Sequence, residues 1–171
     1  MNRGATISYD IGGQRPVTLT DGAADERVMR EAIVQAQLAR DRGEVPVGAV
    51  VVLDGAIVGR GFNQPISGND PTAHAEIVAL RDAATTVGNY RLTGAELCVT
   101  VEPCLMCAGA LVHARIGRLV YGAAESKAGA VRSAMQVLDD PALNHRVEVV
   151  AGVLEEECRE LMQAFFSGRR A

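Results

Sequence analysis

The stretch Leu97-Cys98-Val99-Thr100-Val101-Glu102-Pro103-Cys104-Leu105-Met106-Cys107 decides the fold. Its first five residues are apolar or β-branched and contain no turn former, the pattern of a strand buried on both faces. Pro103 suits the first position of a helix. Cys104 and Cys107 then fall on one face of a helix start, and the helix runs on to about His113. A buried strand that feeds directly into a helix is the unit of layered α/β folds, whose ligands sit at the carboxyl ends of the strands. Helix N-termini lower thiol pKa values, and the thiolate is the form that binds metal.

Upstream, Pro71-Thr72-Ala73-His74-Ala75-Glu76 supplies what two thiolates lack. Apolar residues at helical spacing from Ala73 to Ala84 predict a helix over Thr72 to Thr86, with His74 and Glu76 in its first turn. Residues two apart point about 200° apart around a helix, so both converge on a metal only if it lies off the N-terminal end. One imidazole and two thiolates hold a Zn²⁺ with the fourth tetrahedral position open, the mark of a catalytic site. Zinc brings the pKa of its water to about 7. Glu76 is then the carboxylate beside the metal that can carry a proton from that water to a ring nitrogen and on to departing ammonia. The pattern H-x-E…P-C-x-x-C is the signature of zinc-dependent base deaminases.

Other readings compete. A lone C-x-x-C is also a redox pair or half of a zinc ribbon, but Cys98 and Cys158 stand singly in apolar surroundings and offer no second pair. His113 and His145 read as structural, since His74, Cys104 and Cys107 already complete a three-ligand set.

The remaining chain fits one domain. Its 171 residues, 48% hydrophobic, can bury a substantial core. With 17 basic and 21 acidic residues, net −4, it is no generic nucleic-acid coat. Four cysteines without a charged-then-apolar leader suggest the cytoplasm, and no apolar run reaches membrane-spanning length. Residues 1–20, with weak strand patterns at Ala5–Tyr9 and Pro16–Leu19, read as an appendage; residues 21–171 read as the working domain. Thr20 or Asp21 is the expected N-cap of a helix from about Ala23 to Arg42. Val47–Leu53, Asp54-Gly55 and Ala56–Gly61 predict a hairpin, with Phe62–Pro65 leaving it as a loop. Further strands are expected at Arg118–Gly122 and Val147–Val153, a short helix at Gly129–Leu138 and a closing helix at Leu154–Phe166. The sum is an α/β protein with a mixed five-stranded sheet between helix layers, α/β/α.

Several segments extend the likeness beyond one motif. Glu44–Val50, Asn63, Asp70–Ile77, Asn89-Tyr90-Arg91-Leu92, Glu102–Ala110 and Asn144–Glu148 together resemble the bacterial tRNA-specific adenosine deaminases, from about residue 25 to Arg170. The resemblance implies a cytidine deaminase-like fold, one zinc per chain, a homodimer, and conversion of the wobble adenosine (position 34) of an arginine tRNA to inosine. It implies that Asn63 and the Ala75 backbone hold the flipped base. It also implies that the loop Glu125-Ser126-Lys127, with Phe165, Phe166 and Arg169, meets the anticodon stem-loop. Glu125 departs from the family's usual Asp, and Lys127 is the chain's one lysine. A free-base deaminase for guanine or cytosine would share the same zinc centre, and a zinc module without activity would have no need of Glu76.

Overall fold

A computed structural model of the protein describes residues 22–168. Helix α1 (Gly22–Asp41) leads into the hairpin β1 (Gly48–Leu53) and β2 (Ala56–Phe62), then a one-turn helix α2 (Pro65–Gly68) and α3 (Ala75–Val87). Strand β3 (Glu96–Val101) precedes α4 (Leu105–Ala114) and β4 (Arg118–Ala123). A 3₁₀ turn (Val137–Asp139), β5 (Glu148–Ala151) and α5 (Glu155–Gly168) complete the described chain. The expected appendage at 1–20 and the N-cap at Thr20 or Asp21 lie outside the described residues.

The five strands form one mixed sheet in the order β2-β1-β3-β4-β5. Strand β1 runs antiparallel to both neighbours, whereas β3, β4 and β5 run parallel. Asp54 and Gly55 close the hairpin with φ of 51° and 78°, the double left-handed conformation of a two-residue turn. Successive side chains of a strand face opposite ways, and here both faces are apolar. Val50, Cys98 and Val120 pack against Met29, Ala32 and Ile33 of α1 and Cys158 of α5. Their neighbours Ala49, Val51, Leu97, Val99, Leu119 and Tyr121 pack against Ala75 and Ala79 of α3 and Leu111 of α4. The three-layer α/β/α expectation is met.

Local boundaries depart from expectation where side chains capture backbone donors. The site helix begins at Ala75, not Thr72, because Asp70 Oδ1 accepts from both the Thr72 N–H (2.8 Å) and its hydroxyl (2.7 Å), holding a turn there. Cys104 is extended, at φ −74° and ψ 175°, and caps α4, so Pro103 stands one residue before the cap, not inside the helix. Pro65 opens a short helix where a loop was expected, its Ile66 and Ser67 N–H groups donating to the buried Glu44 carboxylate at 3.4 and 2.7 Å. The helix expected over Gly129–Leu138 is a series of turns with only the 3₁₀ turn at its end. There the N–H groups of Val131, Arg132 and Ser133 donate to the Glu102 carboxylate, and those of Ala134 and Met135 converge on the Gly129 carbonyl.

Candidate active site

Two helix starts face one another at the carboxyl end of β3. His74 is the N-cap of α3 and Cys104 the N-cap of α4; both are extended, which swings their side chains off the helix ends. Cys107 lies one turn inside α4 and is fully buried. His74 Nδ1 stands 3.6 Å from Cys104 Sγ and 3.6 Å from Cys107 Sγ. The three ligand atoms all lie within 4.8 Å of one another, the one such group of His, Cys, Asp or Glu among the described residues. A tetrahedral zinc with Zn–N of about 2.0–2.1 Å and Zn–S of about 2.3 Å needs N···S edges of about 3.6 Å. The donor set therefore fits the ion.

Charge in the cluster is already arranged for a metal. Hydrogen bonds from Cys107 and then His74 hold Cys104 as a thiolate, its pKa drawn down to about 3. Cys107 is pushed up because it shares its proton with Cys104 and is buried. The hydrogen bond to Cys104 raises His74, outweighing its burial. His74, Cys104 and Cys107 would hold a cation here with both sulfurs as thiolates, and its binding would release protons.

Glu76 lies in the first turn of α3, buried, on the wall of a cavity of about 140 Å³ that it shares with His74, Cys104, Asn63, Glu102 and Glu125. Burial raises its pKa, the direction expected of a carboxyl that must hold a proton as well as release one. Glu102 is the second buried carboxylate on that wall, and its environment is the opposite. Burial pushes it up, but the Ser133 hydroxyl and the N–H groups of Arg132, Ser133 and Glu125 more than offset this, leaving it lowered. Its acceptor capacity is spent on protein donors. Two carboxylates driven apart in this way divide their roles, and Glu76 is the one that can exchange protons with a reacting molecule.

The other expected site residues are placed unevenly. Asn63 lies on the cavity wall, its backbone N–H donating to Val47 and its side-chain Oδ1 accepting from the Ala75 N–H at 3.2 Å. The N–H of the Ala75 backbone, expected to hold a base, is thus engaged with Asn63. Glu125 borders the cavity, and its carboxylate accepts from the Lys127 N–H at 2.8 Å. Ser126 and Lys127 are exposed beside it. On α5, Phe165 is half-buried and Phe166 is 41% exposed, their rings in a T-shaped pair at 5.4 Å. Arg169 lies outside the described residues. His113 and His145 lie apart from the cluster; His145 Nε2 meets the Ile116 carbonyl at 2.6 Å. Sequence reasoning assigned nothing to Met162, which reaches the cavity from α5 one turn before Phe165, or to Val47 and Val101. An apolar face on a terminal helix carried no signal that it would close over a polar pocket.

Comparison with known proteins agrees with this centre. Residues 23–123 match the cytidine and deoxycytidylate deaminase zinc-binding region. The tRNA-specific adenosine deaminase of Haemophilus influenzae is 52% identical over 147 residues, covering 85% of each chain. That of Bacillus subtilis is 46% identical over 142 residues, covering 83% of this chain and 88% of its own. A solved structure from work on A-to-I editing by tRNA:A34 deaminases at the wobble position superposes with a TM-score of 0.77 at 47% identity, covering 79% of this chain and 98% of that one. The chain belongs to the zinc-dependent cytidine and deoxycytidylate deaminase family, and within it to the tRNA-specific adenosine deaminases.

Proposed function

We propose that the protein hydrolytically deaminates adenosine to inosine at the wobble position (34) of a tRNA, an arginine tRNA by the resemblance noted above. The observation that carries this reading is the identity of 52% with a tRNA-specific adenosine deaminase, running through both halves of the site, over 85% of each chain. His74, Cys104 and Cys107 would hold the zinc, which supplies a water acidic enough to attack at neutral pH. Glu76 would take a proton from the attacking water, give it to the ring nitrogen, and carry the next to the leaving ammonia. Asn63 and Ala75, coupled through their hydrogen bond, hold the base edge. Glu125, Ser126 and Lys127, with Phe165 and Phe166, form the rim for the neighbouring nucleotides; Arg169, which the resemblance adds to them, lies outside the described residues. Anticodon-loop bases are already partly unstacked, so drawing one into a cavity of about 140 Å³ costs less than opening a duplex.

The reading includes a homodimer and a cytoplasmic setting. An apolar groove of about 430 Å³ on the α3–α4 side, lined by Ile77, Leu80, Ala84, Tyr90 and Ala110, is an open surface that a second copy would cover. Leu105 and Met106 at the start of α4 are 52% and 36% exposed. Sedimentation at the mass of two chains is the expected result, and a single-chain mass removes this part. In the cytoplasm both the tRNA and the reduced thiols of Cys104 and Cys107 are at hand. Among the described residues no helix is long and apolar enough to cross a membrane.

The test is direct. Zinc-loaded protein is incubated with an arginine anticodon stem-loop carrying adenosine at its first anticodon position, and separately with free adenosine, guanine and cytosine. Inosine should form in the stem-loop, with the free compounds poor substrates. Efficient deamination of guanine or cytosine with an untouched stem-loop would overturn the reading in favour of a free-base enzyme.

A further inference from the structure

Glu102 is buried at 3% exposure, and five donors converge on its carboxylate. Oε1 accepts from the N–H groups of Val131 (3.1 Å), Arg132 (2.7 Å) and Ser133 (2.9 Å). Oε2 accepts from the Glu125 N–H at 3.1 Å and from the Ser133 hydroxyl. These donors come from both ends of one loop, 125–133, and from no element of the sheet. The loop is also stitched to the neighbours of Glu102 in sequence. Ala130 N–H donates to the Pro103 carbonyl at 2.8 Å, and Gly129 forms an isolated antiparallel bridge with Cys104. Gly129 has no room for a side chain: a Cβ there would stand 2.5 Å from Glu102 Oε2 and 2.4 Å from the Glu125 carbonyl.

We infer that Glu102 is a positioning residue that locks the 125–133 loop, with Glu125 at one end on the cavity wall and Lys127 two residues on, in register with the segment bearing Cys104, so that this loop acts in substrate selection. A loop of turns has no ladder of its own to fix its shape. Donors arriving from both ends on one carboxylate replace that ladder, and a charged acceptor makes each bond stronger than a neutral one. Glu102 sits at the junction of β3 and α4, so a single residue, Pro103, separates the loop's anchor from the metal ligand Cys104. Rim and metal centre are therefore referenced to one point of the backbone.

The test uses Glu102→Gln in the full-length, zinc-loaded protein, and rests on the tRNA reading for its kinetic arm. An amide of the same shape turns its NH₂ toward donors whichever way it lies, so one end of the loop loses its acceptor. If the loop is then ordered a tenth of the time, the KM for the stem-loop rises about tenfold, while turnover at saturating RNA stays near wild type. Zinc content should be unchanged, and the amides of Glu125, Val131, Arg132 and Ser133 should exchange with solvent faster. An unchanged KM together with unchanged exchange overturns the inference, and so does loss of zinc from the folded variant. Should Glu102→Gln fail to fold, Ser133→Ala removes one donor, and a smaller rise in the same KM is expected; an unaltered KM there overturns it. If wild-type protein ignores the stem-loop, the tRNA reading has failed, and the exchange rates still decide the positioning role.

Discussion

Residues that look alike in the chain separate once their surroundings are known. Glu76 and Glu102 each neighbour a zinc-ligand motif, yet one is raised by burial and the other is held ionised by protein donors. Cys98 and Cys107 are both buried cysteines, but Cys98 contacts Met29 at 3.8 Å inside the core, whereas Cys107 faces His74. This yields a paired prediction. Cys107→Ala should lose its metal, measured as zinc per chain, and lose stability as well, because metal binding contributes folding free energy. Glu76→Ala should keep zinc and fold while turnover falls by about 10²-fold or more, the size of ordinary general acid–base work. Full zinc in the cysteine variant, or full turnover in the glutamate variant, would contradict the assignment. The ligand residues were legible in the sequence because zinc chemistry fixes both residue type and spacing. Glu102 was not, because its partners lie 23 to 31 residues away in a loop with no pattern of its own.

At the level of elements, periodicity carried most of the fold. Apolar runs with β-branched bias located the hairpin, β3 and β4, and Asp54-Gly55 located the turn. Periodicity failed between Gly129 and Leu138, where composition suits a helix but a distant carboxylate claims the backbone. It was also silent on how closely α3 approaches the sheet. Gly59 and Gly61 of β2 lie against the α3 backbone at Ala75, Ala79 and Ala83, where small residues let helix and strand nearly touch. A Cβ on Gly61 would fall 2.3 Å from the Ala75 carbonyl oxygen and 2.4 Å from the Ala79 nitrogen, backbone atoms that cannot rotate away. Gly61→Ala should therefore push α3 outward and cost about 1–3 kcal/mol in a denaturation measurement, the range for overpacking. The same shift moves His74 and Glu76, so activity should fall in protein that remains folded. Gly109, with nothing within 4 Å of its Cβ position, is the control: Gly109→Ala should not show the loss. Equal behaviour of the two variants would mean that this contact does not position the site.

For the whole molecule, charge is the quantity that constrains recognition. The chain carries 17 basic and 21 acidic residues, net −4, and cannot attract RNA by bulk potential. Part of its positive charge is also spent internally: Arg118 on β4 donates to Asp25 of α1 at 2.9 and 2.6 Å and pairs with Glu96, tying the outer helix to the sheet. These pairings join residues 93 and 22 apart, and no local pattern announced them. Among the described residues the cavity wall carries no Lys or Arg, and the exposed Lys127 stands two residues from Glu125 on that wall. Affinity should then come from base and ring contacts more than from phosphates. The expected dependence of log K on log salt is shallow, about −0.7 for each phosphate neutralised on a single strand. Lys127→Ala should flatten that slope by about 0.7 while leaving zinc and fold intact, because its side chain is exposed. A titration of stem-loop binding across a salt series measures it. A steep wild-type slope would mean that an extended basic surface binds the RNA, and an unaltered slope in the variant would take Lys127 off the backbone.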